Sequence, residues 1–247
     1  MKPFFKKILQ YYLKYITKLV LAIHKPVIIA VAGSANKTFT RDEIRKVLEK
    51  RGSNARANLK SFNTEIGLPL AILNLPSGYN EYRNWLPAIK GALAALFETD
   101  FPKFLVLELG VSKKGDMKYL LSVISPEVSV ITGITQRYIE SFSGMDDLVG
   151  EYKILAKGTK RSGLVAVNGD NSRSGEVAKS SQAEILFYGK SEKCQAKILE
   201  IERGSNGEVA EISVGGKIHR EELGRFGEHH IYARAAAILV DKHIQSV

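Results

Sequence analysis

The chain has 247 residues, 45% of them apolar and 25% charged, a globular composition long enough for one large or two small domains with a sizeable core. Its single cysteine, Cys194, excludes an internal disulfide framework and a cysteine-built zinc site, and fits a reducing compartment. The net charge of +10 is concentrated in residues 1–25, which carry six Lys and no acid. The rest is only mildly basic and has no Arg stripe interleaved with aromatics, so nucleic acid is not an expected partner.

Phe4–Ile23 has helical periodicity, with Phe5, Ile8, Leu9, Tyr12, Ile16, Leu19, Val20 and Ile23 on one face and Lys6, Lys7, Lys14 and Lys18 on the other. The lysines leave no run of about 20 apolar residues, which excludes a spanning helix. The run VIIAVA is too short for a signal peptide and lies behind Lys25-Pro26. Residues 1–25 therefore read as a basic amphipathic helix, either packed on the domain or a partner, or lying on an anionic membrane surface. A cytoplasmic protein is expected, peripheral at the inner face of the membrane under the second reading.

Pro26 ends that helix, and Val27–Ala32 is a buried-strand run leading into Gly33-Ser34-Ala35-Asn36-Lys37-Thr38. Arg41–Arg51 reads as the next helix. Strand, tight loop, Lys-Thr and helix is the layout of a phosphate-binding loop, in which backbone amides and the helix N-terminus attract the anion, Lys reaches the outer phosphates and the Thr hydroxyl ligates Mg²⁺. The strict pattern places Gly where Val31 and Asn36 stand, so a strand-to-helix turn that merely holds Lys-Thr is the competing reading.

Arg51–Asn63 is polar and irregular, a solvated loop or a flap near an anionic substrate. Leu68–Leu75 is apolar. Tyr79–Phe97 is helical, with Trp85, Ile89, Leu93 and Leu96 as its core face. Phe104–Leu109 is a buried strand whose Glu108 requires a partner. A metal and a salt bridge at the strand's end are the two candidates, and the C-terminal edge of a parallel strand is where ligands sit in such sheets. Further helices are expected at 113–124, 145–157 and 228–244, and strands at 128–132, 164–167 and 185–188. Strand-like runs at 196–202, 209–214 and 217–221, separated by Asn206-Gly207 and Gly215-Gly216, form an antiparallel ribbon.

In that order, GSANKT (33–38), NTEIGLPL (63–70) and FLVLELG (104–110) resemble the Mur ligases, in particular the branch that adds D-alanyl-D-alanine to UDP-muramyl-tripeptide. ISPEVSVITGI (124–134), YIESF (138–142), VAVNGDN (165–171) and FGEHHIYARAAAILV (226–240) extend the likeness from about Pro26 to the end. The resemblance implies that family's central ATP-binding domain over 26–247: α/β, a mainly parallel sheet with a phosphate-binding loop and a small antiparallel extension, here behind an N-terminal amphipathic helix. It implies ATP and Mg²⁺ as cofactors, with Gly33, Ser34, Asn36, Lys37, Thr38, His229 and His230 at the nucleotide. Lys37 and Glu108 are implied in catalysis, and Thr38 and Glu108 at the metal. A UDP-muramyl-peptide is the implied acceptor: its carboxylate is activated by ATP as an acyl phosphate, which an amine then attacks.

The family pattern also breaks in places. Asn36 stands where Gly is usual; it tolerates positive φ but would crowd the phosphate. Tyr138 replaces a metal-binding His, and a phenol is a poor ligand at neutral pH. Tyr152 stands where the family has a carbamylated lysine, with Lys153 one residue late and about 100° around the helix. His229 matches the family, whereas His230 replaces an Asn associated with the nucleotide. Nothing in the 247 residues corresponds to the family's UDP-sugar domain or its C-terminal domain. The expectation is an ATP-binding ligase core, incomplete or weakly active alone. The alternatives are a non-catalytic binding or scaffold descendant at the membrane, or a generic phosphate-loop NTPase. Glu65-Ile66-Gly67 and the YIESF segment argue against the last.

Overall fold

The computed structural model describes residues 3–59, 62–79, 81, 83–136 and 141–246. Helix α1 (Pro3–His24) precedes strand β1 (Val27–Ala32), followed by α2 (Lys37–Lys50), β2 (Ala55–Ala57), α3 (Gly67–Ile72) and α4 (Trp85–Ala94), which ends in a 3₁₀ turn. Then come β3 (Phe104–Glu108), α5 (Asp116–Leu121), β4 (Val128–Ile131), α6 (Met145–Gly158), β5 (Leu164–Asn168), α7 (Ser172–Ala178) and β6 (Glu184–Gly189). The chain closes with β7 (Ala196–Arg203), β8 (Glu208–Val214), β9 (Lys217–Glu222) and α8 (Glu228–Ser246).

Among the described residues, nine strands join one sheet in the order β2-β3-β1-β4-β5-β6-β7-β8-β9. Pairings from β2 to β7 are parallel, and β7-β8-β9 form the expected antiparallel ribbon. Alternation along β1 divides the core. Ile28, Ala30 and Ala32 pack under α3, α5, α6 and α7, while Ile29 and Val31 pack under α2 and α8. β1 lies between β3 and β4, and the chain leaves it first toward β2 and later toward β5. Its C-terminal end is thus where the connections diverge, the crevice in which open α/β sheets bind ligands.

Several local expectations are corrected. α2 starts at Lys37 rather than Arg41, because Asn36 takes the left-handed conformation (φ 63°, ψ 9°) and turns the chain directly into the helix. The polar 51–63 segment contains the edge strand β2, and its arginines serve the scaffold: Arg51 pairs with Asp241, and Arg56 with Glu98 and the Ile72 carbonyl. That removes two charges from the flap reading. α4 buries Trp85, Ala88 and Ala92, whereas Leu93 is exposed. Finally, α1 does not bury a single apolar face. Leu9, Leu13 and Val20 pack against α3 and α4, but Ile8, Leu19 and Ile23 stand in solvent. Tyr12 Oη donates to the Ile89 carbonyl (2.8 Å), Lys14 Nζ to Ser122 Oγ (2.6 Å), and His24 stacks on Phe101.

Candidate functional site

The loop after β1 is held by the end of β4. Ser34 N–H donates to the Gly133 carbonyl (2.8 Å), and Thr132 Oγ1 donates to the carbonyls of Ala35 (2.7 Å) and Ala32 (3.2 Å). Gly33 sits at φ 146°, and a Cβ there would overlap Thr132 Oγ1, so glycine is the residue that lets the two strand ends approach. The left-handed turn at Asn36 then aims the first turn of α2 at the mouth of the loop, where helix amides lack helical acceptors. Asparagine thus takes the backbone conformation for which the family pattern uses glycine.

On one side of the loop stands Glu108, the last residue of β3, almost fully buried. Thr38 Oγ1 donates to its Oε2 (2.8 Å), and Asn63 Nδ2 to its Oε1 (3.1 Å). Arg41 Nη1 lies 3.6 Å from Oε2 while its guanidinium also grips Asp42. Asn58 clamps the Glu108 backbone, accepting from its N–H (2.8 Å) and donating to its carbonyl (2.9 Å). The side-chain partner that a buried carboxylate requires is therefore supplied within the protein, by two hydrogen bonds and a nearby guanidinium. Asn58 and Arg41 were not foreseen. Polar residues scattered in a loop and a helix give no periodic signal of convergence on one carboxylate.

On the other side is α6, whose three consecutive residues point three ways, as 100° steps require. Glu151 accepts from the N–H groups of Gly115 and Met117 at the start of α5. Tyr152 is buried beside the loop with its hydroxyl in hydrogen-bond contact with Ser34, and burial pushes its phenol up to about 12. Lys153 leaves the site altogether for Glu176 on the surface. Tyr152, not Lys153, is thus the α6 residue at the loop, and it is a neutral phenol. Tyr138 lies outside the described residues. Between the two sides opens a cleft of about 290 Å³, lined by Gly33, Lys37, Asn63, Glu108, Ser112 and Tyr152 among others.

His229 and His230, at the start of α8, pack on the first turn of α2 rather than on the loop. Both pack on Phe39, with ring centroids at 4.8 and 4.6 Å, and on each other at 4.1 Å. Neither lines the cleft. Burial above all, then the neighbouring His229 and Arg225, lowers the His230 pKa. In the NGDN stretch, Asn171 caps α7 by accepting from Ser174 N–H. Asp170 accepts from the Lys190 and Ser191 amides and from Tyr232 Oη of α8.

The donor set suits a phosphate-bound Mg²⁺. Among the described residues no cluster of three metal-binding side chains exists, but Mg²⁺ commonly takes one or two protein oxygens and completes its shell with phosphates and waters. Thr38 and Glu108, already in contact beside Lys37, could provide that pair.

The family model for the Mur ligase middle domain matches residues 31–240. Similar curated proteins include the UDP-N-acetylmuramoyl-tripeptide–D-alanyl-D-alanine ligase of Haemophilus influenzae, 23% identical over 86% of this chain and 42% of its own length. Among solved structures, MurF ligase from Thermotoga maritima in complex with ADP has a TM-score of 0.78 at 19% identity, over 96% of this chain and 49% of its own. MurF from Acinetobacter baumannii has a TM-score of 0.77 at 17% identity, over 96% of this chain and 47% of its own. The chain thus spans less than half the length of these relatives. With the matched model covering most of its residues and the fold agreeing throughout, the chain belongs to the Mur ligase family, whose middle domain it carries.

Proposed function

We propose that the chain binds Mg·ATP at the β1–α2 loop and acts in the phosphoryl-activating half of an acid–amino acid ligation, with an acceptor of the UDP-muramyl-peptide class. The observation that carries this reading is the Thr38–Glu108 contact beside Lys37, at the mouth of a loop pinned by Gly33 to β4. Lys37 would meet the outer phosphates, the first-turn amides of α2 would cradle the inner ones, and Thr38 with Glu108 would hold the metal. The metal would supply positive charge against the transferring phosphoryl group. The acceptor class comes from what the named relatives act on, and His229 and His230 with Phe39 would border the nucleotide.

Turnover is expected to be slow. Tyr152 offers a neutral phenol where the family resemblance implies a carbamate, and loss of one electrostatic stabiliser typically costs 10²–10³ in rate. That residue also favours a second reading, a protein that binds nucleotide without turning it over.

Isothermal calorimetry with Mg·ATP, paired with phosphate release, tests both. Lys37→Ala should weaken binding about 100-fold, from the loss of a charge-assisted contact of about 2–3 kcal/mol, with the fold retained. Equal binding by the variant, or none by either protein, would overturn the nucleotide reading. Substrate-stimulated turnover at ordinary enzyme rates would overturn the slow-site reading.

A further inference from the structure

Much of the exposed apolar surface is gathered in one region. On α1, Phe4, Ile8, Tyr11, Tyr15, Leu19 and Ile23 are exposed, at spacings of three or four residues that make one continuous stripe. Phe4 is 78% and Tyr15 60% exposed. The helix that packs beside it, α4, with its terminal turn exposes Leu86, Leu93 and Phe97, the last at 81%. Monomeric soluble proteins rarely leave contiguous apolar patches of this kind uncovered unless they serve an interaction.

The charges that α1 itself carries beside the stripe are of one sign. At 100° per residue, Lys7 and Lys18 lie along one flank of the stripe, with Lys14, whose ammonium is bonded to Ser122 Oγ, between them, and Lys25 follows the helix end. α1 carries no acid, and the first in the chain is Asp42. Beyond these lysines an open groove of about 550 Å³ runs between α1 and the connection from α5 to β4, lined by Lys18, Lys25 and Lys160. Glu127, paired with Lys160, is the one acid there. No helix among the described residues is long and apolar enough to cross a membrane.

We propose that this face is a docking surface for an anionic phospholipid bilayer. The stripe enters the headgroup–acyl boundary, Tyr11 and Tyr15 sit at its polar edge, and the lysine row and groove face the lipid phosphates. A second copy of the chain fits less well. A two-fold interface would bring lysine row against lysine row, with no α1 carboxylate to meet them.

Deleting α1 would confound the test, because Leu9, Leu13 and Val20 belong to the core. The experiment uses the full chain and surface variants: flotation with phosphatidylcholine vesicles against equimolar phosphatidylcholine–phosphatidylglycerol vesicles, at low and high salt. The intact protein should bind the anionic vesicles, less so at high salt. Lys7→Gln/Lys18→Gln should lower the partition coefficient roughly 30-fold, and Ile8→Ser/Leu19→Ser should abolish binding, both with unchanged thermal unfolding. Indifference to lipid charge, absence of binding by the intact chain, or insensitivity to both variants would overturn the proposal. So would a stable dimer in sedimentation velocity that the Ile8→Ser/Leu19→Ser variant dissociates.

Discussion

The two sides of the loop are built on opposite principles. On the β3 side, Thr38, Asn63, Asn58 and Arg41 converge on one carboxylate, so a negative charge is kept in a nearly dry place. On the α6 side the corresponding space is filled by Tyr152, a large neutral group that touches the loop through one hydroxyl. A site with charge on one side only suits holding a phosphate-bound cation more than it suits stabilising a transferring group from both directions. Binding and turnover are therefore expected to separate in this chain.

Of the two sides, the β3 side should show the larger effect when its charge is removed. Glu108→Gln keeps an oxygen for Thr38 or Asn63 but loses the negative charge. Nucleotide affinity in Mg²⁺ should fall roughly 50-fold, a charge-assisted contact of just over 2 kcal/mol, while affinity in chelator stays constant. An equal fall in both conditions would make Glu108 a scaffold residue. Asn58→Ala tests how that side is held: the buried N–H and carbonyl of Glu108 lose their partner, and urea denaturation should show about 2 kcal/mol of lost stability. A loss under about 0.5 kcal/mol, the scale of a neutral surface change, would mean that the clamp is incidental.

The α6 side should yield less. Tyr152→Phe should leave Mg²⁺-dependent binding unchanged and cost at most about 1 kcal/mol near neutral pH. Its pH dependence is more telling. The phenol's folded-state pKa is raised above its ordinary value of 10, so its contribution to stability is complete below pH 10 and lost as pH climbs toward 12. The Phe variant should resist alkaline unfolding better than the intact chain, and a parallel pair of curves would place the hydroxyl in water. The smallest effect belongs to His230. Its lowered pKa means the folded form sheds a proton that the unfolded chain holds, so stability declines as pH falls below about 6.5. His230→Asn should flatten that decline in thermal melts between neutral and mildly acidic pH. An unchanged slope would assign it to other groups.

The architecture was legible because its signals are local. Apolar runs marked β1, β3 and β4, a tight loop ending in Lys-Thr marked the turn into α2 though not its first residue, and Asn206-Gly207 and Gly215-Gly216 marked the ribbon. Glu108 stood out as a charge in an apolar run, and Thr38, Lys37 and Glu108 do converge. Less legible was anything fixed by direction rather than type. The apolar residues of α1 read as one face, packed or membrane-bound, and they are divided between core and solvent, because a periodic count cannot say how many neighbours a helix has. Leu93 was assigned to the core of α4 for the same reason, whereas small residues, Ala88 and Ala92, fill the contact. Asn58 and Arg41 reach Glu108 from segments far apart in sequence, which no single-sequence pattern encodes.

The pinning of the loop by Thr132 and Gly133 also determines when the site comes into being. β1 is interior to the sheet, and its loop is tied to β4 through the Ser34 amide and the Thr132 hydroxyl. The loop therefore takes shape only when β1 and β4 pair, and it is not assembled later around a ligand. In hydrogen exchange, the Ser34 and Thr132 amides should open with the free energy of global unfolding, like the central strands and unlike a fraying lid. Nucleotide would then meet a receptor shaped in advance, with its ordering entropy settled during folding.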